Sequence, residues 1–347
     1  MELWQRELCE SIVRPGQLAE RFGIDAGALE AVCDRYPMRI PPYYLALMEG
    51  PGDPLWRQAV PDPAELELAE GFCDPLAEDR LSPVPGLIHR YEDRVVLLVS
   101  GACALYCRFC TRKRQVGTAA MQCGPHQLDA AIEYIAQTPA VRDVILSGGD
   151  PLLLEDDRLE ELLRRLHAIE HVEMIRIGTR TPVTLPSRIT QALCRMLRRY
   201  HPLYLNTHFN HPRELTEEAA GACARLADAG IVLGNQTVLL RGVNDDAQIM
   251  RRLNRGLLKM RVRPYYLHQM DLACATAHFR TPVAAGLSIM EALRGPNSGM
   301  AIPHYVIDLP GGLGKVELLP EHRRRSGSDL EVRSPGGRWL VYPDLSE

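Results

Sequence analysis

The rhythm of hydrophobic and polar positions changes near residue 94. Beyond it, short apolar runs rich in β-branched residues alternate with longer stretches whose apolar positions recur every three or four residues. The first pattern marks buried strands and the second amphipathic helices. Strands are predicted over 94–100 (RVVLLVS), 143–149 (DVILSGG), 172–178 (VEMIRIG), 203–209 (LYLNTHF), 231–238 (IVLGNQTV) and 263–269 (RPYYLHQ), with a further strand at 303–308 (PHYVID). Helix patterns such as DRLEELLRRLHAI and DDAQIMRRLNRGLLKM lie between them, most opened by a polar capping residue. Successive strands start about 30 to 50 residues apart, as βαβ units with right-handed crossovers require. The predicted fold is α/β: a partial (β/α)6 TIM-like barrel with an N-terminal helical segment and a short C-terminal extension. Residues 1–90 read as a wrapping segment of helices broken by IPPYY, GPGDPLW and VPDPAE, with no chemistry of its own. Residues 91–295 form the barrel core and 296–347 the C-terminal segment.

Composition alters this picture little. At 46% apolar and 24% charged the chain can bury a sizeable core. A net charge of -4 gives no general pull toward nucleic acid or acidic membranes. The opening MELWQRELCESIV lacks the basic and then apolar run of a signal peptide, and no apolar stretch is long enough to span a bilayer. The expected location is the cytoplasm. Ten cysteines there point to buried, catalytic or metal-binding thiols rather than structural disulfides. The run Arg323-Arg324-Arg325 reads as a solvated basic turn.

In a barrel of this kind, chemistry collects at the C-terminal ends of the strands, and the unusual residues fall there. Cys103, Cys107 and Cys110 follow the first strand and Gly148-Gly149-Asp150 the second. Thr179-Arg180 and Thr207-His208-Phe209-Asn210-His211 follow the next two. Asn235-Gln236 lies in the fifth, Gln269-Met270-Asp271 closes the sixth and Asp308 the last, just before PGGLGK. The C-x3-C-x2-C spacing lets three thiolates converge on one inorganic centre. A structural zinc would need a fourth ligand, and none sits at a sensible offset. Three thiolates on a 4Fe–4S cluster would leave one iron open to a small molecule. His208 and His211 lack a third partner for a metal, so cofactor contact or a structural role is expected of them. The glycines before Lys315 permit backbone shapes closed to other residues, and without further context that lysine reads as solvated after a glycine turn.

The C-x3-C-x2-C loop resembles that of the radical S-adenosylmethionine superfamily. From about residue 85 to 320 the chain further resembles the lysine 2,3-aminomutases, through YCRFCTRKR, LSGGDPLL, RIGTRTPV, LNTHFNHP, GNQTVLLRGVND, RPYYLHQMD, HFRTPV and DLPGGLGK. The resemblance implies that Cys103, Cys107 and Cys110 hold a 4Fe–4S cluster and that S-adenosylmethionine occupies the open iron. Gly148, Gly149, Asp150 and Gln236 would line that cofactor. It implies pyridoxal 5'-phosphate on Lys315, with Arg90, Arg94 and His268 around it. Arg112 would hold the substrate's α-carboxylate, while Asp271 and Asp308 would receive a side-chain ammonium. Arg108, Lys113 and Arg114 are left to balance the charge of the thiolates.

The activity implied is conversion of L-lysine to β-lysine by radical 1,2-amino migration, with a low-potential electron donor such as flavodoxin or ferredoxin. The alternatives are an (R)-β-lysine-forming enzyme serving elongation factor P, an aminomutase for another cationic amino acid, or an iron–sulfur electron-transfer or sensor protein. Classical relatives carry an interfacial zinc. Here Asp246 stands where its cysteine is expected and the C-terminal cysteines are not seen, so no zinc is expected and any homo-oligomer would form without it. Cys9, Cys33, Cys73, Cys123, Cys194, Cys223 and Cys274 are mostly assigned to core packing.

Overall fold

All seven predicted strands form, and they lie side by side in chain order. The computed structural model describes residues 1–67, 71–118, 121, 124–326, 329–334 and 336–342. Its main sheet comprises β1 (Leu87–Tyr91), β2 (Arg94–Ser100), β3 (Asp143–Gly148), β4 (Met174–Gly178), β5 (Leu203–Thr207), β6 (Val232–Leu239), β7 (Arg263–Gln269), β8 (His304–Leu309) and β9 (Gly314–Glu317). Strands β2 to β8 run parallel, and β1 and β9 pair antiparallel at the two edges. The result is the predicted α/β partial barrel.

Helices pack outside the sheet because their apolar stripes match its outer face. In the helix Asp156–His167, Leu159, Leu162, Leu163 and Leu166 are all buried, spaced to share one face. Asp246 caps the helix Ala247–Lys259, its side chain accepting from the Gln248 and Ile249 amides. The sequence therefore uses that position to start a helix. Prolines that break the pattern in the N-terminal segment prove to open helices: Pro15, Pro42 and Pro54 are each the first helical residue. That position needs no amide hydrogen and suits proline's fixed φ.

Strands β1 and β9 were not predicted, since each is short and partly polar, with too few alternations to read. Neighbours impose both as hairpins, β1 on β2 and β9 on β8. The sheet thus runs through the expected boundaries at 90/91 and 295/296. Its open edges face each other: the Lys315 amide donates to Tyr91 Oη at 3.0 Å, and Arg90 reaches Asp308 at 3.1 Å. The β8–β9 turn needs glycine. Gly311 and Gly312 have φ of 74° and 75°, and a Cβ on Gly312 would lie 2.8 Å from the Leu76 carbonyl.

Two expectations are corrected. Arg323–Ser326 is a strand, β10, in a small sheet with β11 (Asp329–Arg333) and β12 (Trp339–Tyr342), and not a turn. Arg324 is held there by Glu331 at 2.5 Å and by the Trp339 ring. Core packing accounts for Cys194 and Cys223, which are buried, but not for the exposed Cys9 and Cys73. Cys73 Sγ instead lies 3.6 Å from Cys274 Sγ, because Phe72 and Ala273, one residue earlier in each segment, form a β-bridge. Cys123 lies outside the described residues. Among the described residues no helix is long and apolar enough to cross a membrane.

Candidate active site

The cysteine loop leaves β2 at Ser100 and is clamped from two sides. From one side, the end of β3 presses on its base. A Cβ on Gly148 would lie 2.4 Å from the Ser100 carbonyl, and one on Gly149 2.4 Å from the Ala102 carbonyl. Only glycine admits that approach, and the Gly149 and Asp150 amides use it to donate to Ser100 and Ala102 at 2.6 and 2.8 Å. The neighbour these glycines admit is therefore the loop's own backbone, a reason the sequence alone did not suggest. Asp150 is fully engaged within the chain, accepting from Leu152 N, Thr179 Oγ1 and Arg180 N.

The N-terminal segment clamps the other side. Buried Glu65 accepts from Arg108 Nε at 2.9 Å and from Lys113 Nζ at 2.8 Å, and Arg108 also donates to the Pro37 carbonyl. Arg114 pairs with Asp79 at 2.8 Å. These three cations thus have carboxylate partners of their own, which corrects the expectation that they serve the thiolates. The cation that meets a thiol is Arg180. Its Nη1 donates to Cys107 Sγ at 2.7 Å, Nη2 to Gln58 at 2.6 Å and Glu214 at 2.8 Å, and Nε to the His208 carbonyl at 3.1 Å. Sequence reading placed Arg180 at a strand end but gave it no role. Gln58, Glu65 and Glu78 were missed altogether, because nothing local links them to cysteines some 30 to 50 residues away.

Cys103, Cys107 and Cys110 line one cavity of about 320 Å³ together with Gly148, Gly149 and His208. Burial first, and then the neighbouring Cys107, pushes the Cys110 thiol up to about 11. Burial with Asp150 and the other two thiols pushes Cys103 up as well. Such thiols give up their protons when a metal replaces them. Among the described residues no three His, Cys, Asp or Glu side chains gather tightly enough for a single metal ion. Three soft donors around a cavity fit an iron–sulfur cluster better.

A second cavity, of about 610 Å³, holds Lys315 with Arg90, Tyr91, Arg94 and Tyr266. The two cavities share walls, including Leu76, Arg112, Ser147, Gln236, His268 and Asp308. Lys315 Nζ donates to Asp308 Oδ2 at 2.5 Å, lies 3.3 Å from His268 Nδ1 and sits over the Tyr266 ring. The nearest partner of the amine is thus a carboxylate. Asp308 also accepts from Arg90 at 3.1 Å. Although burial works against it, His268 at 3.6 Å and the Lys315 charge hold its carboxyl below the usual carboxylate range. Asp271 behaves oppositely: burial, then repulsion from Asp308, pushes it up to about 7. Burial lowers His268, so its ring is neutral at neutral pH.

Arg94 stacks its guanidinium 4.2 Å from the Tyr91 ring centre and makes only a loose 3.4 Å pair with exposed Asp93. Its remaining donors suit an anionic group, and with Lys315 and the Tyr266 ring they fit pyridoxal phosphate. Arg112 gives Nε and Nη2 to the two Glu78 oxygens at 2.8 and 2.6 Å and Nη1 to Ser147 Oγ at 3.2 Å. His208 bonds Asn210 Oδ1, and His211 Nδ1 accepts from the Arg213 amide, so both have structural contacts.

Residues 97–253 match the radical SAM superfamily and residues 290–332 the Lysine-2,3-aminomutase family. The L-lysine 2,3-aminomutase of Fusobacterium nucleatum is 55% identical over 288 residues, covering 82% of this chain and 68% of that protein. The enzyme of the same name from Acetoanaerobium sticklandii is 56% identical over 292 residues, covering 83% and 70%. The glutamate 2,3-aminomutase of Clostridioides difficile is 45% identical over 319 residues, covering 91% and 76%. The two family matches take in the cysteine loop and Lys315 respectively, and with relatives of this identity and coverage the chain belongs to the lysine 2,3-aminomutase family of radical S-adenosylmethionine isomerases.

Proposed function

We propose that this enzyme converts L-lysine to β-lysine in the cytoplasm, with Cys103, Cys107 and Cys110 holding a 4Fe–4S cluster and Lys315 holding pyridoxal phosphate. A low-potential donor such as flavodoxin or ferredoxin supplies the electron. The cluster with S-adenosylmethionine supplies the hydrogen-abstracting radical, and pyridoxal phosphate the carbon centre that carries the migrating nitrogen. The observation that supports the reading is the shared wall between the two cavities, across which a radical source at the cysteines would lie beside an amino acid held at Lys315.

The protein's own part is alignment and exclusion of water. Gly148, Gly149 and Asp150 brace the thiol loop, and Gln236 faces both cofactors. Arg94 is the better placed of the two arginines for a phosphate, because Arg90 is already spent on Asp308 and the Leu76 carbonyl. His268, neutral and 3.3 Å from Lys315 Nζ, can take or return a proton at that amine as substrate arrives. Arg112 fixes the substrate's α-carboxylate. Asp271 and Asp308 receive the side-chain ammonium, two carboxylates repaying the desolvation of one cation better than one would. The L-lysine 2,3-aminomutase relatives support this choice.

The test is anaerobic incubation of reconstituted protein with S-adenosylmethionine, pyridoxal phosphate, reductant and, separately, lysine, ornithine, arginine and glutamate. Formation of β-lysine is the expected result. Rearrangement of glutamate alone would mean that Asp271 and Asp308 do not select the substrate.

A further inference from the structure

A guanidinium has five N–H donors, and in Arg112 three are committed. Nε and Nη2 form a fork on Glu78, at 2.8 and 2.6 Å, and Nη1 donates to Ser147 Oγ at 3.2 Å. One N–H remains on each terminal nitrogen. With Glu78 along the Nε side, a second carboxylate has only the Nη1–Nη2 end left to approach, and Arg112 and Ser147 line both cavities. Glu78 is not a loose surface group. Its amide donates to Asp74 Oδ1 at 2.9 Å, and Ser82 Oγ donates to its carbonyl at 2.8 Å. The strap carrying it is tied to the β8–β9 turn, where the Gly311 amide donates to the Pro75 carbonyl and Arg80 to the Gly311 carbonyl. The same strap therefore touches the turn leading to Lys315 and the guanidinium assigned to the substrate.

We infer that Glu78 is a positioning residue for substrate recognition, which with Ser147 holds the plane of Arg112 so that one end-on fork faces the α-carboxylate. This rests on the reading of Arg112 as the carboxylate ligand. A bidentate contact needs both angle and distance, and an arginine on a flexible stem supplies neither unless its other donors are tied down. The cost is attraction: Glu78 neutralises Arg112, so selectivity comes from geometry rather than net positive charge.

The experiment compares lysine with 1,5-diaminopentane, which keeps both amines and lacks the carboxylate, on cofactor-loaded enzyme. Glu78→Gln is expected to raise KM for lysine about tenfold, the scale of one charge-assisted hydrogen bond, while leaving inhibition by the diamine unchanged. Ser147→Ala should show the same selectivity with a smaller shift. Arg112→Ala should erase the preference for lysine, and adding Glu78→Gln to it should change nothing further. If Glu78→Gln weakens lysine and diamine equally, Glu78 merely supports the fold; if it tightens lysine, Glu78 is a competitor for Arg112. Either result overturns the inference. An undiminished preference for lysine in Arg112→Ala would instead overturn the reading of Arg112 itself.

Discussion

Behind Cys107 a set of buried polar side chains is tied into one hydrogen-bonded network, whereas around Lys315 several charges crowd onto one carboxylate. Arg180, Glu214, Gln58 and Asn210 form one hydrogen-bonded network behind Cys107, and Glu65 pairs with two cations of the cysteine loop. On the other side Asp308 is contested by Lys315, Arg90 and His268, and nearby Asp271 is pushed up to about 7. The two regions answer different demands. A cluster needs ligands that do not move, and a buried hydrogen-bonded network in a low dielectric provides that. Exchanging one amine for another needs groups that can trade protons and partners, and a crowded titratable set provides that.

The most decisive way to break this contrast is to remove one member from each side. Cys107→Ser and Lys315→Ala should each lower β-lysine formation by more than about a thousandfold, as loss of a covalent or electron-transfer step does. They should differ in cofactor content. Cys107→Ser is expected to lose cluster iron yet keep borohydride-trappable pyridoxal, and Lys315→Ala the reverse. Loss of both cofactors in both variants would show that the two regions form one cooperative unit.

Next in size is Arg180→Met. Removing a buried cation leaves Glu214 without its charged partner, which costs about 3–5 kcal/mol. Denaturant unfolding of the cofactor-free protein reads that cost, and iron retention should fall in parallel. An equivalent loss on Arg90→Met would erase the distinction between networked and exchangeable charge.

The pH dependence sharpens the lysine side. Asp271 is neutral below about 7, and a neutral acid cannot pair with an ammonium, whereas Asp308 stays ionised throughout that window. Affinity for lysine should therefore rise as pH climbs toward 7, by up to about tenfold per unit, and level off above it. Asp271→Asn should flatten the profile of kcat/KM. A wild-type profile that is already flat from pH 6 to about 8 would count against Asp271 as a ligand of the side chain.

The smallest effect is expected at a pair that lines neither cavity. Arg324→Ala removes an exposed pair with Glu331 and should cost under about 1 kcal/mol, with β-lysine formation unchanged.

Much of the fold was legible because the parallel strands carry short apolar-rich runs in which alternate residues are buried, and all seven were found. β1 and β9 escaped because four or five mixed residues carry too little period. The three cysteines and Lys315 stood out by residue type and spacing. Glu78, Glu65 and Gln58 did not, since a carboxylate or amide in a Pro-rich segment looks like any other surface group until the chain folds back over the barrel. The same blindness made Arg108 and Lys113 look like counterions of the thiolates.

By itself the sequence determined the order of strands and helices, the three thiols on one loop and the lysine after a glycine turn, because these rest on periodicity and local spacing. Tertiary structure alone decided which charge meets which. Glu65 rather than a thiolate faces Arg108, the Asp308 carboxylate faces Lys315, and Arg180 rather than Arg108 or Lys113 reaches Cys107. Pairing of buried charges depends on contacts between segments far apart in the chain, and short-range pattern carries no record of them.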